Sequence, residues 1–433
     1  MLLGSGAVLL TGCADGKAGP EAGPSTPTAT ATATGPNIVK QRTGTVVLPE
    51  QTSALSAQLT EATSSADVQQ LMDLIQRPRW DRKKIRTFWE RRLRNFERLG
   101  FVDSRWYVGV PTDRTRNAAG GLVKYSGELV FAHTVQGCDA REVVETFDAD
   151  FRMSSPEAPL ELMHLGGSNA DFAPSIWDVA EVDAIETEHA RIVFGLGDAA
   201  VARSRADEIE EGARRAFDRI PNPRGVEKVL YALTWPEIDG QLYGGVAVGE
   251  ADAHAYYHPF LDPATLATGQ RKRADDADLP LATGRVGMHR SSLARRDFVD
   301  VACHEAVHVL ACQWQDRSGH VPWATEGYAK WAEGGGAALM ARWSGLIRSG
   351  FATFARTAPL GYAEFHDVPP AVESANYLCA GAVYAYLEET RGAEAAHALA
   401  AAYYRHQDRA DAAKEFGTSE RDLIAAARKW AGA

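Results

Sequence analysis

The stretch from Phe298 to Ala311 reads FVDVACHEAVHVLA, an apolar run with two histidines and a glutamate at its centre. Phe298, Val299, Val301, Ala302 and Cys303 precede His304-Glu305-Ala306-Val307-His308, and Val309, Leu310 and Ala311 follow it. A helix that is apolar on several faces is a buried helix. Polar side chains inside it are costly unless something satisfies them. His304 and His308 are four residues apart, so they share one helical face and both imidazoles can reach a single ion. Glu305 lies between them, placed to take a proton from a water activated by that ion. Zinc, for instance, lowers the pKa of water from 15.7 to about 7. Whatever the fold, it must bury this helix and bring a further donor to it.

The candidate donor lies downstream. The chain turns through Asp316-Arg317-Ser318-Gly319 and then runs Pro322-Trp323-Ala324-Thr325-Glu326-Gly327-Tyr328-Ala329. A catalytic zinc takes three protein ligands and keeps its fourth position for water. Glu326, opening the next apolar-periodic segment, would complete such a set. The two segments together resemble the gluzincin metallopeptidases, including the aminopeptidase N type. In those enzymes a tryptophan or proline-tryptophan stretch precedes Glu-Gly-(aromatic)-Ala, and that glutamate is the third ligand. Trp323, Glu326, Gly327, Tyr328 and Ala329 match that pattern here. Over residues 181–433 the chain is also similar to bacterial extracytoplasmic peptidase-MA-like proteins.

The resemblance implies a zincin-like domain with a β-rich part followed by a helical part. It implies one Zn2+ held by His304, His308 and Glu326, Glu305 as catalytic base, and a peptide or protein substrate. Related enzymes often supply a tyrosine from a later helix to the oxyanion. Tyr377 is the candidate, with Tyr328 as competitor. Glu333 could hold a ligand from outside. Asp300, four residues before His304, could orient an imidazole or simply be exposed. His320 could line the cleft, whereas His254, His258 and His289 read as structural or surface residues. The exopeptidase signature Gly-x-Met-Glu-Asn is not apparent, so the resemblance does not extend to aminopeptidase activity.

The remainder of the 433 residues suggests two folded domains of an α+β protein with additions. Residues 1–12 read as a lipoprotein signal peptide, because Leu10-Thr11-Gly12-Cys13 resembles a lipobox whose cysteine carries the lipid. Met1 is followed by no basic residue, a departure from the usual pattern. Residues 13–46, rich in Pro, Thr, Ala and Gly, lack the apolar side chains needed to offset ordering and read as a tether. This plan places the protein at the extracytoplasmic face of the cell membrane, held by a lipid at Cys13. Residues 47–180 read as an N-terminal α+β domain resembling the cone-shaped nuclear-transport-factor-2-like fold, and 181–433 as the metallopeptidase-like domain.

Within the first domain, residues 81–99 have the spacing of an amphipathic helix, with Ile85, Phe88, Trp89, Phe96 and Leu99 on one stripe. Its other face carries Arg82, Lys83, Arg86, Arg91, Arg94 and Arg98, for water or for anionic lipid headgroups. Strands follow over 101–177. In the second domain a strand pair or one long strand covers 182–195 and a helix covers 200–220. Further strands are expected at 226–235, 253–260 and 285–289, the last read as a sheet edge able to hold an extended peptide. From Leu293 onward the pattern is helical. A formal charge of −11 makes nucleic acid a poor partner. Cys138, Cys303, Cys312 and Cys379 would permit disulfides in an oxidising compartment. Two readings stay open: a zinc peptidase, or a non-catalytic zinc-binding lipoprotein acting as a binding or assembly module.

Overall fold

The computed structural model describes residues 49–433 apart from 77–81, 110–112, 117–122, 156–157, 169–174, 236–237, 239–241, 243–252, 261, 264–280, 315–320, 355–360 and 407–408. The expected signal peptide, Cys13, the tether, the 316–319 turn and His320 lie outside the described residues. The fold is α+β, with two five-stranded sheets.

Three helices open the described chain: α1 (Pro49–Ser64), α2 (Val68–Leu74) and α3 (Arg82–Leu99). The expected apolar stripe forms in α3, where Ile85, Trp89, Phe96 and Leu99 are buried. Gly100 follows at φ +66°, the left-handed conformation that ends helices. The basic face is largely engaged within the protein. Arg91 donates to the Asp178 carbonyl, Arg94 pairs with Glu181 at 2.5 Å, and Arg98 donates to the Val182 carbonyl at 3.1 Å. Asn95, buried on the same helix, bonds the carbonyls of Trp177 and Ala180 and the amide of Val182. These bonds fasten α3 to the segment where the chain passes between its two sheets.

The first sheet is antiparallel, ordered β1 (Phe101–Val108), β3 (Val123–Val135), β4 (Val143–Met153), β5 (Glu161–Ser168), with β2 (Asp113–Arg116) also pairing β3. After the short α4 (Ile176–Val179), residues 182–195 form a hairpin of β6 (Val182–Glu186) and β7 (Ala190–Gly195). Helix α5 (Ala199–Arg219) then crosses to β8 (Val229–Thr234), parallel to β7, as such a connection requires. The second sheet is completed by β9 (Ala253–Pro259) and β10 (Leu281–His289) in the order β6-β7-β8-β10-β9.

Both faces of this second sheet are covered. Successive side chains on a strand point to opposite faces. Ile192, Phe194, Val229, Tyr231, Ala255, Val286 and Met288 therefore join the core beneath the helices. Val193, Leu230, Ala232 and Tyr256 join the core of the N-terminal helices and first sheet. The two cores thus meet on one sheet.

Two sequence expectations are corrected here. The strand at 285–289 is not an edge: β10 pairs β8 on one side and β9 on the other, and β9 is the terminal strand among the described residues. Arg285 of this strand is buried and paired with a carboxylate, Asp139. The cysteines form no disulfide: Cys138, Cys303, Cys312 and Cys379 are buried free thiols. Cys303 and Cys312 lie nine residues apart along one helical stretch, roughly 13 Å of rise, against the ~4.4–6.8 Å between α-carbons that a disulfide spans.

The rest is helical: α6 (Phe298–Ala311), α7 (Pro322–Ala332), α8 (Gly335–Phe354), α9 (Tyr362–Phe365), α10 (Pro370–Arg391), α11 (Ala393–Arg405), α12 (Arg409–Phe416) and α13 (Glu420–Trp430). Ser419 caps α13 as its sequence suggests, accepting from the Asp422 amide at 3.1 Å.

Candidate metal centre

Helix α6 carries the two histidines, and its neighbours fix its position. Tyr231 on β8 donates its hydroxyl to the Ala302 carbonyl at 2.9 Å. On the α5 side a Cβ at Gly212 would stand 2.6 Å from the Ala302 Cβ, so only glycine permits this approach. Helix α7 starts with Pro322 at its first turn, where a missing amide hydrogen costs nothing. The residue after Glu326 is equally constrained. A Cβ at Gly327 would meet the Ala380 backbone at 2.7 Å, so the Glu-Gly pair lets α10 pack directly against the turn that presents Glu326.

His304, His308 and Glu326 come together in this frame, all buried, with their ligand atoms within 4.8 Å of one another. Nε2 of His304 is 3.0 Å from Oε2 of Glu326 and 3.3 Å from Nε2 of His308. Nε2 of His308 is 3.4 Å from the same Glu326 oxygen. Two imidazole nitrogens and a carboxylate oxygen thus point at one spot. The donor set and its spacing fit a metal ion, and His₂Glu is a set that catalytic zinc uses. Oε1 of Glu326 and Oε2 of Glu305 are buried without a well-formed hydrogen bond. A second group, Glu188, His189 and Glu210, also lies close together, but at the surface, with His189 Nδ1 already 2.7 Å from Glu210.

The outer nitrogens are held as well. His304 Nδ1 lies 3.0 Å from Oε1 of Glu333, which caps α7 and pairs with Lys330 at 2.6 Å. Glu333 therefore occupies the supporting position that its spacing allowed. His308 Nδ1 lies 3.1 Å from the hydroxyl of Tyr404 on α11. Tyr404 was missed in the sequence, where Tyr403-Tyr404 on an amphipathic helix reads as core.

The electrostatics of the metal-free site follow from this crowding. Burial opposes charge on His304, but Glu326 and Glu333 outweigh it and push its pKa up to about 10. Burial also works against the Glu326 carboxylate, yet the two histidines hold it well below the usual range. Glu305, 3% exposed, is different: burial raises its pKa, and the neighbouring histidines only partly offset this. It is a carboxylate poised to accept a proton. Metal binding would displace the proton shared within the triad.

Tyr377 lies on α10 with its ring centroid 5.8 Å from that of His304. Burial, then the carboxylates of Glu326, Glu373 and Glu305, keep its phenol pKa well above the ordinary value, so it remains a hydrogen-bond donor. Tyr328, the competitor, instead points its hydroxyl at His397 Nδ1, 2.8 Å away. Asp300 pairs with Arg215 at 3.3 Å and Arg342 at 3.1 Å rather than with an imidazole. His258 contacts Arg285 and His289 contacts Ser291, and neither they nor His254 join the triad. No protein-family model matches this chain, and no curated protein matches its sequence.

Proposed function

We propose that this protein is a zinc-dependent peptidase of the gluzincin type. The observation that carries the reading is the convergence of His304, His308 and Glu326 with the under-bonded carboxylate of Glu305 next to them. A structural zinc site tends to close with four protein ligands and has no use for a neighbouring base. Zinc bound by the triad would polarise a peptide carbonyl and acidify water.

The chain's own residues would do the rest. Glu305 takes the proton of the attacking water and passes it to the leaving amine, the two halves of general base and general acid catalysis. Its raised pKa suits both. The Tyr377 hydroxyl donates to the carbonyl oxygen as negative charge develops there. Strand β9 pairs β10 on one side and is the last strand of its sheet among the described residues. An extended substrate added along its outer side would lie beside α6, and α6 packs on β9.

The proposal includes location. The lipobox-like sequence ending at Cys13 supports a lipid-anchored protein on the extracytoplasmic face. No described helix is long and apolar enough to cross a membrane. Cys13→Ala should move the protein from the membrane fraction to the soluble one, and continued membrane association would refute the lipid anchor.

The activity is tested by zinc content together with cleavage of a denatured protein mixture, with and without a chelator. Stoichiometric zinc and chelator-sensitive cleavage are expected. Zinc without cleavage would return a non-catalytic binding module, and no bound zinc would remove the proposal altogether.

A further inference from the structure

The two histidines of the triad are supported in unequal ways. His304 Nδ1 faces a carboxylate, Glu333, fixed in turn by Lys330. His308 Nδ1 faces a phenol, the hydroxyl of Tyr404, at 3.1 Å. Tyr404 is 3% exposed and lies 96 residues beyond His308. Its ring sits near Trp314, in the turn that leaves α6, with centroids 6.1 Å apart. Packing on that turn therefore aims the hydroxyl back at the helix that carries His308.

The consequence concerns the tautomer. Nε2 of His308 points into the triad, so it must offer a lone pair if it is to bind a metal. The ring proton then belongs on Nδ1, and the atom facing Nδ1 must accept it. The Tyr404 oxygen can accept this hydrogen bond, whereas a phenylalanine ring there could not. We infer that Tyr404 is the positioning residue of His308: it holds the Nδ1–H tautomer and the ring orientation, and so keeps Nε2 available to the ion. Tyr404 touches neither ion nor substrate in this role. A neutral phenol is a weaker acceptor than a carboxylate, so Glu333 orients its histidine more strongly than Tyr404 does. Helices α10 and α11 then both serve the metal site, through Tyr377 and Tyr404.

This inference rests on the metal-site reading, and the experiment separates the two. Zinc affinity is measured by chelator competition for the wild-type chain, Tyr404→Phe and Glu333→Gln. The apo melting temperature and the visible spectrum of the cobalt-substituted protein are recorded alongside. Wild-type protein that fails to bind zinc would sink the metal site itself. With wild-type binding intact, Tyr404→Phe should weaken zinc binding by roughly 10- to 100-fold, the usual effect of losing an outer hydrogen bond. Its apo melting temperature should be unchanged and its cobalt spectrum altered, with Glu333→Gln losing more. Unchanged affinity, whether or not stability falls, would return Tyr404 to packing alone. Should Tyr404→Phe not fold, 15N-histidine NMR of the zinc-loaded wild-type chain decides. A proton on His308 Nδ1 supports the assignment, and a proton-free Nδ1 overturns it.

Discussion

Charged side chains are buried on both faces of the second sheet, and the two groups follow different rules. On the face toward the N-terminal helices, Arg285 of β10 pairs with Asp139 at 2.9 Å and contacts His258 at 3.1 Å. Further into that core, Arg92 pairs with Asp178 at 2.8 Å and with Glu145. Each cation there meets at least one carboxylate, so the group's charges close on one another, although Arg92 Nε and both nitrogens of nearby His133 make no well-formed bond. On the helical face, His304, His308 and Glu326 gather ligand atoms around one point in an open arrangement, and one oxygen each of Glu326 and Glu305 makes no well-formed bond. The first arrangement balances its own charges and reads as architecture. The second has a donor set that could hold an added metal ion. Burial alone therefore does not distinguish the two clusters; the side chains that converge do, guanidinium groups with carboxylates in one and two imidazoles with carboxylates in the other.

That contrast can be broken deliberately. The largest effect is expected on the open side. Glu326→Ala removes one of three ligands and should strip zinc on dialysis, abolishing hydrolysis with it. Metal analysis checks this, and full zinc retention would place the third ligand elsewhere, with Glu333 the first alternative.

The closed side should respond in stability instead. Asp139→Ala leaves Arg285, 1% exposed, without its carboxylate, and should cost about 3–5 kcal/mol in denaturant unfolding. Replacing both partners, as in Asp139→Leu with Arg285→Met, should recover much of that loss, since an apolar pair of similar volume is often neutral or better. A double variant as unstable as the single one would show that the ion pair has some further duty.

Smaller, and confined to turnover, is the effect of Tyr377→Phe. Losing one oxyanion donor typically slows turnover by about 10²–10³-fold, or roughly 2.7–4 kcal/mol. Zinc content and melting temperature should stay nearly constant. Normal turnover would make Tyr377 a packing residue beside His304.

What the sequence revealed divides along the same line. The open cluster was legible because its residues are spaced by local rules. His304 and His308 are one helical turn apart, and Glu326 sits in a Trp-x-x-Glu-Gly-Tyr-Ala context within one helix. Glu333 was legible for the same reason, as the residue ending that helix. The closed cluster left no local trace. Asp139 and Arg285 are 146 residues apart, so no local spacing links them. Arg92 is fully buried on the apolar stripe of α3, four residues from Phe88 and Phe96, but its carboxylate partners lie far off in the sequence. Tyr404 belongs with these, since its role exists only after α11 docks near Trp314. Helix and strand positions were largely recoverable from periodicity, whereas the strand order β8-β10-β9 was not, because hydrogen-bonding neighbours are chosen by the tertiary fold.

The central claim is that the open cluster performs hydrolysis with Glu305 as its base, and Glu305→Gln tests it most directly. The carboxamide is close in shape but accepts no proton, and all three ligands remain. Zinc content and protein-cleavage rate should be measured on the same preparation of the variant and the wild type. The account predicts full zinc occupancy with turnover lowered by about 10²–10⁴-fold, the range for losing a general base. Cleavage at the wild-type rate with zinc in place would contradict it.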